Sequence, residues 1–141
     1  MDKMQDLNEK KKWLRRYQEA VKATIEIDLE MEELESRYIL PSREIDGMPH
    51  GSGSDRDLSE FAAKYDELYR EIKDALEERI KIRRDVRAAI ETLENETVKI
   101  LMLYRYIDGK TWSEIAERMN YSQRRAHQLH GDALRDIVIP K

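Results

Sequence analysis

Residues 122–135 hold the side chains with the most usable chemistry: Ser122-Gln123-Arg124-Arg125, then His127-Gln128 and Arg135. Arginine can donate twice to guanine O6 and N7, and glutamine can pair with adenine N6 and N7. A helix opening on Ser122-Gln123-Arg124-Arg125 also turns its free amides and positive dipole end toward a phosphate. Other chemistries find less support. His127 and His130 are three residues apart, but the chain has no Cys and only His50 besides. A metal site would have to recruit carboxylates such as Asp132, so both histidines read as polar residues of a helix face. Gly51-Ser52-Gly53 lacks a following Gly-Lys-Ser/Thr and a preceding strand, so it is no phosphate cradle. Acidic pairs are abundant but fall on exposed repeats without a pocket signal. No catalytic residue, cofactor or metal is expected.

The elements that must position this face are short and well punctuated. Glu96–Ile107 is helical in pattern, with apolar residues at Val98, Ile100, Leu101, Leu103, Tyr104 and Ile107. It stops at Asp108-Gly109-Lys110, where Gly109 suits a left-handed helix-ending position. Thr111-Trp112-Ser113-Glu114 is a capping-box sequence that starts a two-turn helix with Ile115, Ala116 and Met119 on its buried face. Asn120-Tyr121 turns the chain, and Ser122 caps a helix from about Gln123 to Ile137. The inner face of that helix is Ala126, Leu129, Ala133, Leu134 and Ile137; the outer face is Gln123, Arg124, His127, Gln128, Gly131 and Arg135. Gly131 costs a helix about 1 kcal/mol relative to Ala, and close packing is the expected reason for it. A short capped helix, a tight turn and a Gln/Arg-faced helix together outline a helix-turn-helix.

The first ninety-five residues have a different texture. Trp13, Tyr17, Ala20, Thr24, Ile27, Met31, Leu34 and Tyr38 alternate spacings of four and three. Leu58, Phe61, Tyr65, Leu68, Ile72, Ala75, Arg79, Ile82, Val86, Ala89 and Leu93 do the same. This repeat marks the seam of coiled-coil-like packed helices. Leu14, Val21, Ala62, Tyr69, Leu76, Ile80 and Ile90 flank the seam and widen it. Between the two runs, about 39–57, come Pro41, Asp46-Gly47-Met48-Pro49 and Gly51-Ser52-Gly53-Ser54, which predict a loop. The expected fold is all-α: an antiparallel hairpin over 1–95 (helices 4–38 and 57–94), then a trihelical domain over 96–141. Placing Tyr38 opposite Leu58 brings Trp13 near Arg83. Lys10, Lys11, Lys12, Arg15 and Arg16 then share the basic end with Arg83, Arg84 and Arg87, a second candidate patch for nucleic acid.

Bulk composition bounds the classes further. The chain has 141 residues, 40% of them charged, with 26 Lys+Arg against 30 Asp+Glu and a net charge of −4. The total is acidic, but residues 96–141 carry eight basic against six acidic side chains. Charge distribution therefore leaves DNA open where net charge alone argues against it. No apolar run approaches a membrane span and the polar start is no signal peptide, so a cytoplasmic protein without membrane contact is expected. Without cysteine, disulfides and thiol chemistry are excluded.

The run from Thr111-Trp112-Ser113-Glu114-Ile115-Ala116 to Ser122 and on through Gln128-Leu129 and Ala133-Leu134 resembles region four of bacterial sigma factors. The likeness covers about residues 96–137. It implies Gln123, Arg124, His127 and Gln128 as base-facing residues, with Ser122 and Arg125 as phosphate or support contacts. Thr111 and Arg135 complete the candidate DNA-binding set. Sigma factors commonly carry an acidic residue where this chain has Arg124, and no segment resembles their promoter-melting region. A stand-alone sigma factor is therefore not implied. Asp46-Gly47-Met48-Pro49…Gly51-Ser52-Gly53-Ser54-Asp55 and Arg105-Tyr106-Ile107-Asp108-Gly109-Lys110-Thr111-Trp112 resemble phage and prophage regulators of the ArpU and RinA kind. That resemblance implies a bacterial-host regulator of late phage genes, bound to double-stranded DNA. The hairpin is left to form a homodimer or higher oligomer, or to contact RNA polymerase. The alternative is a packaging or scaffold protein of the small-terminase type, which also joins a helix-turn-helix to oligomerising helices.

Overall fold

Alternating three-four spacing closes only on a helix, and the computed structural model, which describes residues 2–43 and 54–140, is all-helical among them. The order is α1 (Asp2–Arg43), α2 (Ser54–Glu91), α3 (Glu96–Tyr106), α4 (Trp112–Met119) and α5 (Gln123–Asp136). Both long helices reach further toward the expected loop than 38 and 57. α1 continues through Pro41 to Arg43. The rest of the expected loop, including Asp46-Gly47-Met48-Pro49 and Gly51-Ser52-Gly53, lies outside the described residues. α2 ends at Glu91 rather than 94, where Thr92 N and Leu93 N bond three residues back to Ala89 O and Ile90 O (both 3.1 Å). Asn95 then caps α3 by accepting from Thr97 N at 2.9 Å and Val98 N at 3.2 Å.

The chain packs as two compact units, residues 21–78 and residues 1–20 with 79–141. In the first, Met31 and Leu34 of α1 bury against Leu68 of α2, with Ile27, Tyr38, Phe61, Tyr65 and Ile72 around them. Tyr38 meets Phe61 at 5.3 Å between ring centroids, which confirms antiparallel packing but shifts the register. Leu58, expected opposite Tyr38, is 61% exposed. An aromatic pair has more area to bury and a favourable tilted geometry, so Phe61 takes the place. Thr24, the one polar residue of the α1 repeat, is buried and donates its hydroxyl to Val21 O at 2.7 Å. The flanking residues Ala62, Tyr69 and Leu76 are exposed.

In the second unit the ends of α1 and α2 share a core with α3, α4 and α5. Leu14, Ile90, Leu101, Met102, Ile115 and Leu134 are its largest fully buried side chains. Leu14 and Ile90, which widen the seam in the sequence, are both fully buried. Two hydrogen-bonded anchors tie α1 to the C-terminal helices. Gln18 Nε2 donates to Tyr106 O (3.1 Å) and Ile107 O (3.2 Å) at the end of α3. Lys10 Nζ donates to Leu134 O at 2.9 Å, near the carbonyl end of α5. Gly109 has φ +69°, the left-handed position expected of it, and a Cβ there would lie 2.7 Å from Gln18 Oε1. The left-handed conformation is what calls for glycine at this turn, since the near atom is the tip of a flexible side chain.

The helix-turn-helix forms as its caps dictate. Thr111 Oγ1 accepts from Glu114 N (3.2 Å), and Glu114 Oε1 accepts from Thr111 N (2.9 Å). The amide and hydroxyl of Thr111 hold the Glu114 carboxyl below the usual carboxylate range. Asn120 closes α4 at φ 56°, and its N–H and that of Tyr121 return to Glu117 O and Ala116 O. Ser122 Oγ accepts from Arg125 N at 3.0 Å and starts α5. Thr111→Ala should lower stability by about 1 kcal/mol, while Thr111→Ser stays close to wild type. Equal thermal midpoints for Thr111→Ala and wild type would show that the box adds nothing.

Candidate nucleic-acid interface

α5 divides into two faces as its sequence requires. Ala126, Leu129, Ala133 and Leu134 are buried, whereas Gln123, Arg124, His127, Gln128, Gly131 and Arg135 are exposed. The buried half fixes the helix on α3 and α4, so the outer half carries long donors on a rigid support. Arg124 and Gln128 lie one turn apart on this face, and Arg135 follows two turns after Gln128. Arg135 Nη2 pairs with Asp132 Oδ1 at 3.0 Å. Arg125 belongs to the side of the helix: its Nη1 reaches Gln128 Oε1 at 3.5 Å, and it lines a cleft with Asp132 and the α2–α3 turn. Thr111 and Ser122 spend their hydroxyls on caps, although both remain exposed.

The two histidines are unlike one another. His127 is exposed and packs its ring on Trp112 at 4.4 Å. His130 is not a polar face residue: it is 8% exposed, set between Tyr106 and Trp112. The Tyr106 hydroxyl and His130 Nε2 are 2.7 Å apart. Burial pushes the His130 pKa down to about 4, with Lys11, Arg105, His127 and Arg15 adding positive charge around it. Burial likewise raises the Tyr106 phenol. Both groups are therefore neutral near pH 7 and share one hydrogen bond, whose direction follows the imidazole tautomer. Position 130, four residues after Ala126 and four before Leu134, falls within the inner face, so the spacing carries the signal and the polar residue type masks it. The partner is Tyr106, and nothing in the spacing of α5 reports on α3.

Trp112 and Arg105 are further residues that the sequence reading leaves without a role. The Arg105 guanidinium sits 4.7 Å over the Trp112 ring, and its Nη1 donates to Lys110 O at 3.1 Å. Arg105 thus clamps the α3–α4 turn while keeping its charge beside α5.

The basic residues of α1 differ in their immediate neighbours. Lys10 is occupied with the α5 carbonyl end and with Asp6 at 3.5 Å. Lys11 and Arg15, one turn apart, both act on His130 and so face the α5 side of the unit. Lys12 and Arg16 line a groove with Trp13, Ile139 and Pro140, and the Arg16 guanidinium lies 5.4 Å from the Trp13 ring centroid. Arg83, Arg84 and Arg87 are exposed along α2.

Gly131 is not explained by packing. Nothing lies within 4 Å of where its Cβ would stand. Tight contact, the reason its sequence context suggests, is absent, and its cost of about 1 kcal/mol in a helix finds no return inside the fold.

Among the described residues no group of histidines and carboxylates is placed to hold a metal ion, and no helix is long and apolar enough to cross a membrane. No curated protein and no solved structure gives a significant match to the chain. Residues 89–137 match the family model described as Sigma-70, region 4. The match begins in the last turn of α2 and takes in α3, α4 and α5, the helices whose caps and faces are set out above. The C-terminal segment is accordingly a sigma region four-like helix-turn-helix, a DNA-binding class of domain, and DNA is the partner it fits.

Proposed function

We propose that the protein is a cytoplasmic, non-catalytic transcriptional regulator of phage or prophage late genes that reads the major groove of duplex DNA with α5. The observation carrying this reading is the exposed face of α5, where Gln123, Arg124, His127 and Gln128 stand on a helix buried along its other side. These side chains reach base edges, and the amide end behind Ser122 meets a phosphate. One domain of this size covers limited DNA, so the protein acts as a homodimer on paired half-sites, its long helices supplying the contact between copies or with RNA polymerase. Selection from a pool of randomised duplexes tests the reading: a recurring, two-fold related motif is the expected result. Failure to enrich any motif at low salt rejects it.

Lys11 and Arg15 extend the interface onto α1 as phosphate contacts. Replacing both with Ala should weaken binding evenly across sequences. The log–log salt slope should flatten by up to about 0.9 per lost contact. Lys12→Ala, on the groove beside Trp13, should leave the slope unchanged. An unchanged slope for the Lys11/Arg15 double variant removes α1 from the interface.

A further inference from the structure

Gly131 occupies the interior of α5, yet neither its backbone nor its surroundings call for glycine. Among the described residues the positive-φ positions are Gly109 and Asn120, so Gly131 adopts ordinary helical geometry. Its outer side opens onto space. It follows Arg124 by two turns and Gln128 by one, and precedes Arg135 by one, all three being exposed. The outer face of α5 therefore carries long donors at both ends and a bare stretch of main chain between them. Surrounding charge defines what fits there. Arg124 and Arg135 flank the gap on α5, Arg135 pairing with Asp132 Oδ1 at 3.0 Å, while Lys11, Arg105 and Arg15 act on His130, which is buried on the inner side of the helix. A helix interior without a side chain, with cationic side chains on the same face one and two turns away, admits a negatively charged chain to van der Waals contact with the main chain.

We propose that Gly131 is the point of closest approach between α5 and the sugar–phosphate backbone of bound duplex DNA, and that its missing side chain sets how deeply the helix seats in the groove. This rests on the DNA-reading role of α5 and adds a depth-setting residue to it. The N-terminal turn of α5 reads bases, and the groove wall passes the helix further along, where Gly131 stands. A side chain at this position would hold the wall away and withdraw Arg124 and Gln128 from the base edges together.

The test compares wild type, Gly131→Ala and Gly131→Leu by thermal unfolding and by titration against the duplex that wild type selects from a randomised pool. Both variants should unfold at the wild-type temperature or above, since each is a better helix former than glycine and a Cβ at this position has nothing within 4 Å. Gly131→Leu should bind at least about tenfold more weakly, with Gly131→Ala between the two. Discrimination between the selected duplex and a scrambled one should shrink in step. Leucine binding as tightly as wild type overturns the inference and leaves the reading of α5 intact. A lower unfolding temperature in Gly131→Ala also overturns it, because the glycine would then serve the fold. If wild type selects no duplex at all, the DNA reading itself fails and this inference with it.

Discussion

On acidification from pH 6.5 to about pH 4, the wild-type chain should lose about 3 kcal/mol of stability that a His130→Gln variant does not lose. The sign follows from where the protons go. The unfolded histidine takes a proton near pH 6.5, whereas the folded one resists until about pH 4. Between these values the unfolded state binds more protons, so stability falls as pH falls; below the folded value the difference stops growing. The resistance comes from burial first and from the cations Lys11, Arg105 and Arg15 second. Protonation would make both ring nitrogens donors, so the 2.7 Å hydrogen bond could then run only from Nε2 to the Tyr106 hydroxyl oxygen. Carboxylates titrate in the same range, so the quantity to measure is the difference in unfolding free energy between wild type and His130→Gln at each pH. A difference that stays flat across the window shows that His130 is not held neutral by the fold. Because His130 sits between Trp112 and Tyr106, its loss of fit should appear first as a change in tryptophan fluorescence at Trp112.

Arg124→Ala should relax base preference at one position of each half-site and cost about 1–3 kcal/mol against the preferred duplex. Affinity for scrambled DNA should fall far less, since a base contact contributes little when the base is wrong. The contrast with Lys11 and Arg15 is diagnostic: phosphate contacts change every duplex alike and alter the salt slope. Arg124 has no buried role, as it is exposed and lies outside the cap made by Ser122 to Arg125 N. The thermal midpoint of Arg124→Ala should therefore match wild type, which separates reading from folding. A selection that returns the wild-type motif unchanged removes Arg124 from the base-reading set.

Much of this molecule is local and so could be read from the chain. Caps depend on residues within one turn, and Thr111 with Glu114, Ser122 with Arg125 and the left-handed Gly109 all stand as their spacing predicts. Helix faces are equally local, because periodicity alone decides which side of α5 is apolar. What lay beyond the sequence depended on neighbours far along the chain. The antiparallel register moved by about one turn because Phe61, rather than Leu58, had the ring to meet Tyr38. His130, polar by type but on the inner face by spacing, is interior, and its polar partner there, the Tyr106 hydroxyl, comes from α3.

The basic run of α1 shows the division most plainly. Sequence determined that Lys10, Lys11, Lys12, Arg15 and Arg16 are close together on one helix and basic. Tertiary structure gave them different neighbours: Lys10 the carbonyl end of α5, Lys11 and Arg15 a charge effect on His130, and Lys12 and Arg16 the groove beside Trp13. A helix turns its successive residues through wide angles, so neighbours in sequence become strangers in space. The same holds for Gly131, whose composition marks it as costly while only the open space around it shows that the cost is not repaid within the fold. Capping and amphipathic pattern are short-range and travel with the sequence. Burial, charge environment and the direction of a long side chain are set by whatever the rest of the chain brings alongside.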